Sequence, residues 1–191
     1  MLLYFGEHYI MTDENKRINT TGSLKAGIMI SLFIAVLIFL DRITKFLAET
    51  FLMGTDGVSI IDKVLKLQYL ENRGAAFGML QGRQVLFWIL TAVVAIFLIW
   101  FFTKVPKNKY YRPVIIAIAV LFSGAIGNFI DRIVNHYVID FIYFELIDFP
   151  IFNVADIYVT ISVILLLILI LFRYKEGDFF FITGKKKKND E

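Results

Sequence analysis

The chain has 191 residues, is 58% hydrophobic and 16% aromatic, contains 20 Phe and no Cys, and carries a formal net charge of only +3. A mean hydropathy of +0.70 excludes an ordinary soluble domain, and the lack of Cys excludes disulfides, thiol catalysis and thiolate metal sites. What remains is an integral membrane protein with no room for a separate soluble domain.

Residues 1–23 read as a cytoplasmic segment containing the mixed-charge patch DENKR. No small-residue cleavage site follows a short apolar run, so no cleavable signal peptide is expected, and Met11 is a candidate natural start. A membrane span needs about 20 mainly apolar residues to cross a hydrocarbon core of about 30 Å. Four stretches qualify: 24–48, 85–102, 113–131 and 152–172. Residues 24–172 therefore read as one membrane domain and 173–191 as a basic cytoplasmic tail. The connection 49–84 contains VSIIDKVLKLQYL, and 133–151 contains YVIDFIYF. Their β-branched and aromatic residues predict strands, punctuated by Gly54, Gly57, Gly74 and Gly78. The expected fold is an all-α membrane protein, a four-helix transmembrane bundle, with a small sheet at one surface.

Lys and Arg bias sets orientation in membrane proteins. Thirteen basic residues fall in the N-terminal segment, the link TKVPKNKYYR and the tail, against five in the other two connections. Both termini are expected in the cytoplasm. Asp41, Lys45, Asn128, Asp131, Arg132, Asn153 and Asp156 then converge at one depth, the extracytoplasmic surface.

Each constellation has a plain reading and a functional one. Asp41 and Lys45, four apart and acid first, read as an intrahelical pair easing the first span into the interface. Asn128 and Asp131 share a helix face, with Arg132 four from Asn128. Gly124, Ala125 and Gly127 before them suit a close-packed helix seam. That seam explains the glycines but not an amide inside a span, which needs partners at that depth. Asn153 reads as a helix N-cap and Asp156 as a first-turn acid, roles that can coexist with a site. Asp140 sits between Ile139 and Phe141 in a predicted strand, so desolvation should raise its pKa. A second carboxylate nearby would let the pair act as base and acid in turn. Asn72–Phe77 reads as a tight turn around Gly74. Of the two histidines, His8 and His136, the first is expected inside, so a two-His zinc site outside is excluded and no metal is expected. The run Lys185–Lys188 reads as a solvated tail able to touch anionic lipid, not nucleic acid. An ion-coupled transporter would place its carboxylates near the bilayer midplane, and a purely structural membrane protein would not gather polar groups at one depth.

Five motifs in order, DRITK at 41–45, NRGAAF at 72–77, SGAIGNFIDR at 123–132, VIDF at 138–141 and FNVAD at 152–156, resemble those of the lipoprotein signal peptidases, or signal peptidase II, bacterial membrane aspartyl peptidases. The resemblance covers about residues 31–172, and Ser123 stands where the family more often has Gly. It implies a catalytic dyad of Asp140 and Asp156. It implies substrate contact or dyad support by Asn72, Asn128, Arg132 and Asn153, with Asp41 stabilising the fold and Asp131 in a structural or supporting place. Lys45, Gly74 and Gly127 are read as structural. It further implies a periplasmic β-cradle and a short lid, in the bacterial cytoplasmic (inner) membrane; a monomer without a cofactor is expected. The implied substrate is a diacylglyceryl-modified prolipoprotein, cut before the lipidated cysteine, and membrane lipid is the other expected partner.

Overall fold

The structure, a computed structural model, describes residues 13–74 and 84–183. Met11, the lid expected after Gly74 and the Lys185–Lys188 run lie outside the described residues. The first helix, α1 (Asp13–Leu52), contains an apolar stretch of 28 residues, Lys25–Leu52. At 1.5 Å per residue this is about 42 Å long, more than a bilayer core requires. Two further helices, α3 (Arg112–Val134) and α4 (Val154–Ile168, continued as a wider turn through Arg173), are also long and apolar enough to cross a membrane. The helix α2 (Gln84–Lys104) occupies the second predicted span; its apolar part is shorter, Trp88–Lys104. Pro113 lies in the first turn of α3, where its missing N–H and fixed φ cost nothing.

Large apolar side chains point outward along the helices, among them Leu32, Phe39, Phe97, Leu171 and Phe172, the last 83% exposed. Such a surface is the lipid-facing side of a membrane protein rather than a defect of packing. The protein is a multi-pass, mostly helical membrane protein, and α3, packed against α1, α2 and α4, lies at its centre.

The predicted strands form at the expected places. Strands β1 (Val58–Ile61), β2 (Leu65–Asn72) and β3 (Val138–Tyr143) make one antiparallel sheet in the order β1-β2-β3. The β2–β3 register sets Leu70 opposite Asp140 and Asn72 opposite Val138. Because strand side chains alternate, Asp140 and Asn72 are delivered to one side while Ile139 and Phe141 go to the other. Ile139 and Phe141 pack with Ala48 and Leu52 of α1 in an apolar cluster under the sheet. Phe152 then pairs with Ile142 through backbone hydrogen bonds of 2.8 and 3.0 Å, which returns the chain to the sheet just before α4. A second apolar cluster, with Leu98, Val105, Tyr111, Val114, Ile115, Ile118, Leu169 and Tyr174, closes the opposite end.

Candidate active site

Two glycines allow α1, α3 and α4 to meet. A Cβ at Gly124 would fall 2.5 Å from the carbonyl oxygen of Ala155, and one at Gly127 would fall 2.5 Å from Oδ2 of Asp41. Real side chains do not tolerate such separations, so the small-residue seam is required by the approach of α4 and of Asp41.

Asp41 and Lys45 depart from the reading as an interfacial pair. Both are fully buried. The i, i+4 contact exists, with Lys45 Nζ 2.9 Å from Asp41 Oδ2. The same ammonium also lies 2.8 Å from Asp131 Oδ2 and donates to Asn128 Oδ1 at 2.9 Å. The ammonium is thus held among three oxygens, donating a hydrogen bond to Asn128 and ion-paired with both carboxylates. Asp41 Oδ1 accepts from the backbone N–H of Ala155 at 3.0 Å, satisfying an orphan donor in the first turn of α4. Arg42 pairs with Asp131 Oδ1, and Asp131 Oδ2 also accepts from Ile139 N at 3.3 Å, tying the end of α3 to β3. Buried charges persist only when paired, and these are, with Asp41 Oδ2 relying on the Lys45 ion pair alone.

Asn153 forms the predicted N-cap and more. Its Oδ1 accepts from Asp156 N at 3.0 Å, while Asp156 Oδ2 accepts from Asn153 N at 3.1 Å, a reciprocal capping box. The Nδ2 of Asn153 is left free to donate, and it does so to Asp140 Oδ1 at 2.6 Å and Asn128 Oδ1 at 3.1 Å. Asn128 Nδ2 donates to Asp156 Oδ1 at 2.8 Å. Asn72 Nδ2 donates to Asp140 Oδ2 at 2.8 Å, and its own Oδ1 is held by the N–H of buried Gly74 at 3.0 Å. Both oxygens of Asp140 and both of Asp156 therefore accept hydrogen bonds. Arg132 Nη1 donates to Asn128 O at 3.4 Å, and its guanidinium is electrostatically coupled to Asp140, Asp156 and Asp131.

Burial pushes the Asp140 carboxyl up to about 7, helped by the nearby charge of Asp156. The hydrogen bonds from Asn72 and Asn153 and the charge of Lys45 oppose this without cancelling it. A carboxyl that holds its proton near neutrality beside a second carboxylate can donate to a developing oxyanion or leaving amine while its neighbour accepts a proton from water. Among the described residues no cluster of three or more His, Asp or Glu is arranged to hold a metal ion.

The carboxylates open into a cleft of about 920 Å³. Its polar side includes Asn72, Arg73, Asn128, Arg132 and Asp148; Phe149, Ile157, Val159 and Ile161 give it an apolar wall. Of the residues expected from the sequence, Asn72, Asn128, Arg132, Asp140 and Asp156 line this cleft; Asn153, Lys45 and Gly74 bond to those lining residues, and Asp41, Asp131 and Gly127 belong to the junction behind them. Two features were missed. Arg42 holds Asp131, and its place next to Asp41 in DRITK was the available signal. Most of the apolar wall comes from the turn of α4 after Asp156, where Ile157 and Ile161 stand four apart, a pattern masked by the uniform hydrophobicity of that helix. Ser123, the departure from the resemblance, is buried, and its hydroxyl donates to Ala119 O at 2.8 Å within α3.

Membrane-length helices, a small sheet and two hydrogen-bonded carboxylates at an open cleft define a multi-pass membrane protein with a candidate active site. The sequence profile of the family described as Signal peptidase (SPase) II matches residues 33–172. A lipoprotein signal peptidase of Caldanaerobacter subterraneus is 42% identical over 146 residues, covering 76% of this chain and 97% of that one. The lipoprotein signal peptidase of Staphylococcus haemolyticus is 41% identical over 150 residues, 77% of this chain and 94% of its own. A bacterial membrane enzyme solved by the in meso method at 2.3 Å superposes with a TM-score of 0.68 at 34% identity, over 84% of this chain and 93% of that one. The chain belongs to the signal peptidase II family and is a membrane peptidase.

Proposed function

We propose that this enzyme removes the signal peptide from diacylglyceryl-modified prolipoproteins, cutting before the lipidated cysteine with Asp140 and Asp156 as its catalytic dyad. The observation that carries the reading is the amide lattice: Asn72, Asn153 and Asn128 aim N–H donors at the two carboxylates on the floor of an open cleft. In this mechanism Asp140 holds the proton and Asp156 is the base. Asp156 takes a proton from water as the oxygen attacks the scissile carbonyl carbon, and Asp140 donates its proton to the carbonyl oxygen. Collapse of the tetrahedral intermediate breaks the C–N bond. The proton on Asp156 passes to the leaving amine, and the hydroxyl proton returns to Asp140. Arg132, Asn72, Asn128 and Asn153 hold the peptide and the dyad; Asp41, Lys45, Gly127 and Asp131 hold the helices that carry them.

Most of the apolar wall of the cleft belongs to α4, whose flanks face lipid, so an acyl chain can lie against Ile157, Val159 and Ile161 without leaving an apolar environment. Partitioning alone would keep any lipidated peptide in the membrane, at about 0.8 kcal/mol per CH₂. Placement against the protein is what discriminates, because small misplacements in a hydrolytic site cost large rate factors. In this reading α2 is the fourth span, both termini are cytoplasmic and the cleft faces the extracytoplasmic side.

The test is cleavage by the purified enzyme of a synthetic diacylglyceryl prolipopeptide and of the same peptide with an unmodified cysteine, both in one bilayer. The lipidated form should be cut far faster, and Asp140→Asn and Asp156→Asn should each abolish cleavage in folded protein. Equal rates on the two peptides would remove the basis for lipid selection; near-normal turnover by Asp140→Asn would move the dyad assignment to Asp131.

A further inference from the structure

The end of the protein opposite the cleft carries a second organised cluster. The family profile ends at Phe172, and the chain then turns back on itself. Tyr174 stacks on Tyr111 with centroids 5.6 Å apart, and Tyr110 meets both rings edge-on at 5.1 and 5.2 Å. Phe181 packs on Tyr111 and on Phe101 of α2 at 5.5 and 5.9 Å. Hydrogen bonds lock the arrangement: Tyr111 Oη donates to Asp178 O at 2.6 Å, Tyr110 Oη to Asp178 Oδ2 at 2.8 Å, and Tyr174 Oη to Tyr110 O at 3.0 Å. An aromatic clasp thus binds residues 173–183 to the link between α2 and α3.

The clasp brings two basic segments together. Lys104, Lys107, Lys109 and Arg112 come from the link, Arg173 and Lys175 from the segment after α4, and all six are exposed. None of them takes part in an ion pair with a carboxylate among the described residues. Asp178, the described acid in this cluster, already accepts from Tyr110 Oη and Lys175 N, each at 2.8 Å. Arg173 lies over the rings of Tyr110 and Tyr174 at 5.4 and 5.9 Å. Lys107 stands over the Phe102 ring at 3.7 Å. Immediately before Arg173, Leu171 and Phe172 are 70% and 83% exposed, as lipid-facing residues are. The hydrocarbon boundary therefore falls at this step in the sequence, and the cations beyond it lie at headgroup depth, with tyrosines where interfacial aromatics belong. Four more lysines, Lys185–Lys188, follow in the sequence.

We infer that the clasp assembles a docking surface for the anionic phospholipid headgroups of the adjacent leaflet. Lys107, Lys109, Arg173 and Lys175 supply the charge, and Phe181 with Tyr111 holds the two segments together. Cationic juxtamembrane segments attract anionic lipid and lose that attraction as salt screens it. The surface lies outside the peptidase cleft, so its function is anchoring and stabilisation of this end of the bundle rather than chemistry.

The test uses the full chain in nanodiscs of phosphatidylcholine, with or without phosphatidylglycerol, reading the midpoint of thermal unfolding. Phosphatidylglycerol should raise the midpoint at low salt, and high salt should reduce the gain. Combined Lys107→Gln, Lys109→Gln and Lys175→Gln should lose most of it, and Phe181→Ala should diminish it. Lys63→Gln with Lys66→Gln, on the sheet at the other end, should retain it. The inference is overturned if the two lipid compositions give equal midpoints, if the triple variant keeps the full gain, if the sheet variant loses it equally, or if inorganic phosphate reproduces it in phosphatidylcholine discs.

Discussion

Lys45 Nζ and Asn128 Oδ1 are joined by a 2.9 Å hydrogen bond that fixes which way the asparagine amide points. With its oxygen engaged by an ammonium, Asn128 must present Nδ2 to Asp156, 2.8 Å away. A buried cation contributed by α1 thereby sets the polarity of an amide that reaches Asp156 from α3.

Lys45→Met should be among the most damaging changes outside the cleft. It leaves Asp41 and Asp131 buried without their shared cation, and breaking a buried pair costs about 3–5 kcal/mol. The variant should melt at a much lower temperature and accumulate poorly; an unchanged midpoint in thermal unfolding would contradict the hub described for Lys45.

Gly127→Ala tests the seam. Its new methyl would lie 2.5 Å from Asp41 Oδ2 and 3.4 Å from Ala155 Cβ. Overpacking of this kind costs about 1–3 kcal/mol, and displacing Asp41 also removes the acceptor from Ala155 N. Lower thermal stability together with reduced cleavage is expected, whereas Gly27→Ala, which meets nothing within 4 Å, should be silent.

The pH dependence follows from Asp140. Its folded-state pKa of about 7 lies above the ordinary 3.8, so the folded state binds this proton more tightly than the unfolded state does. The group's stabilising contribution is fully present below 3.8 and is lost as pH rises through about 7, a slope that Asp140→Asn should remove. Cleavage should decline on the alkaline side as Asp140 loses its proton. Asn72→Ala removes a hydrogen bond that lowers this pKa. It should reduce the maximal rate and move the alkaline limb upward, measured as kcat against pH; a downward shift would assign the limb to another group.

Orientation is open to labelling. Cysteines placed at Ser59 on β1 and Glu145 after β3, both exposed, should react with an impermeant thiol reagent in intact cells. One at Lys107, between α2 and α3, should not. The opposite pattern would put the cleft on the cytoplasmic side.

Much of this architecture was legible locally. Apolar run lengths located the helices, and β-branched composition located all three strands. The three-residue spacing of Asn153 and Asp156 appears as a capping box that is also part of the site. The three-residue spacing of Asn128 and Asp131 appears as two groups meeting one lysine. What local pattern could not supply was the identity of distant partners. The i, i+4 spacing of Asp41 and Lys45 accounts for one of the lysine's three contacts; the other two come from α3 and turn an apparent surface pair into a buried junction. Likewise nothing near Asp140 in sequence announces Asn72, which reaches it from a neighbouring strand 68 residues away. The strand alternation fixes that both can face one way, and the sheet register decides that they meet.

The buried junction imposes an order on biogenesis. When α1 leaves the ribosome it carries Asp41, Arg42 and Lys45, yet Asp131, which pairs with both cations, lies 89 residues beyond Arg42. Charges at depth in lipid are costly while unpaired, and the end of α1 that carries these gains its partners only once α3 has been made. The amide lattice around Asp140 and Asp156 draws on β2, α3, β3 and α4, so it can close only once α4 has been made. The candidate site is therefore incomplete until α4 is in place, and a chain halted before Asp156 lacks one of its two carboxylates.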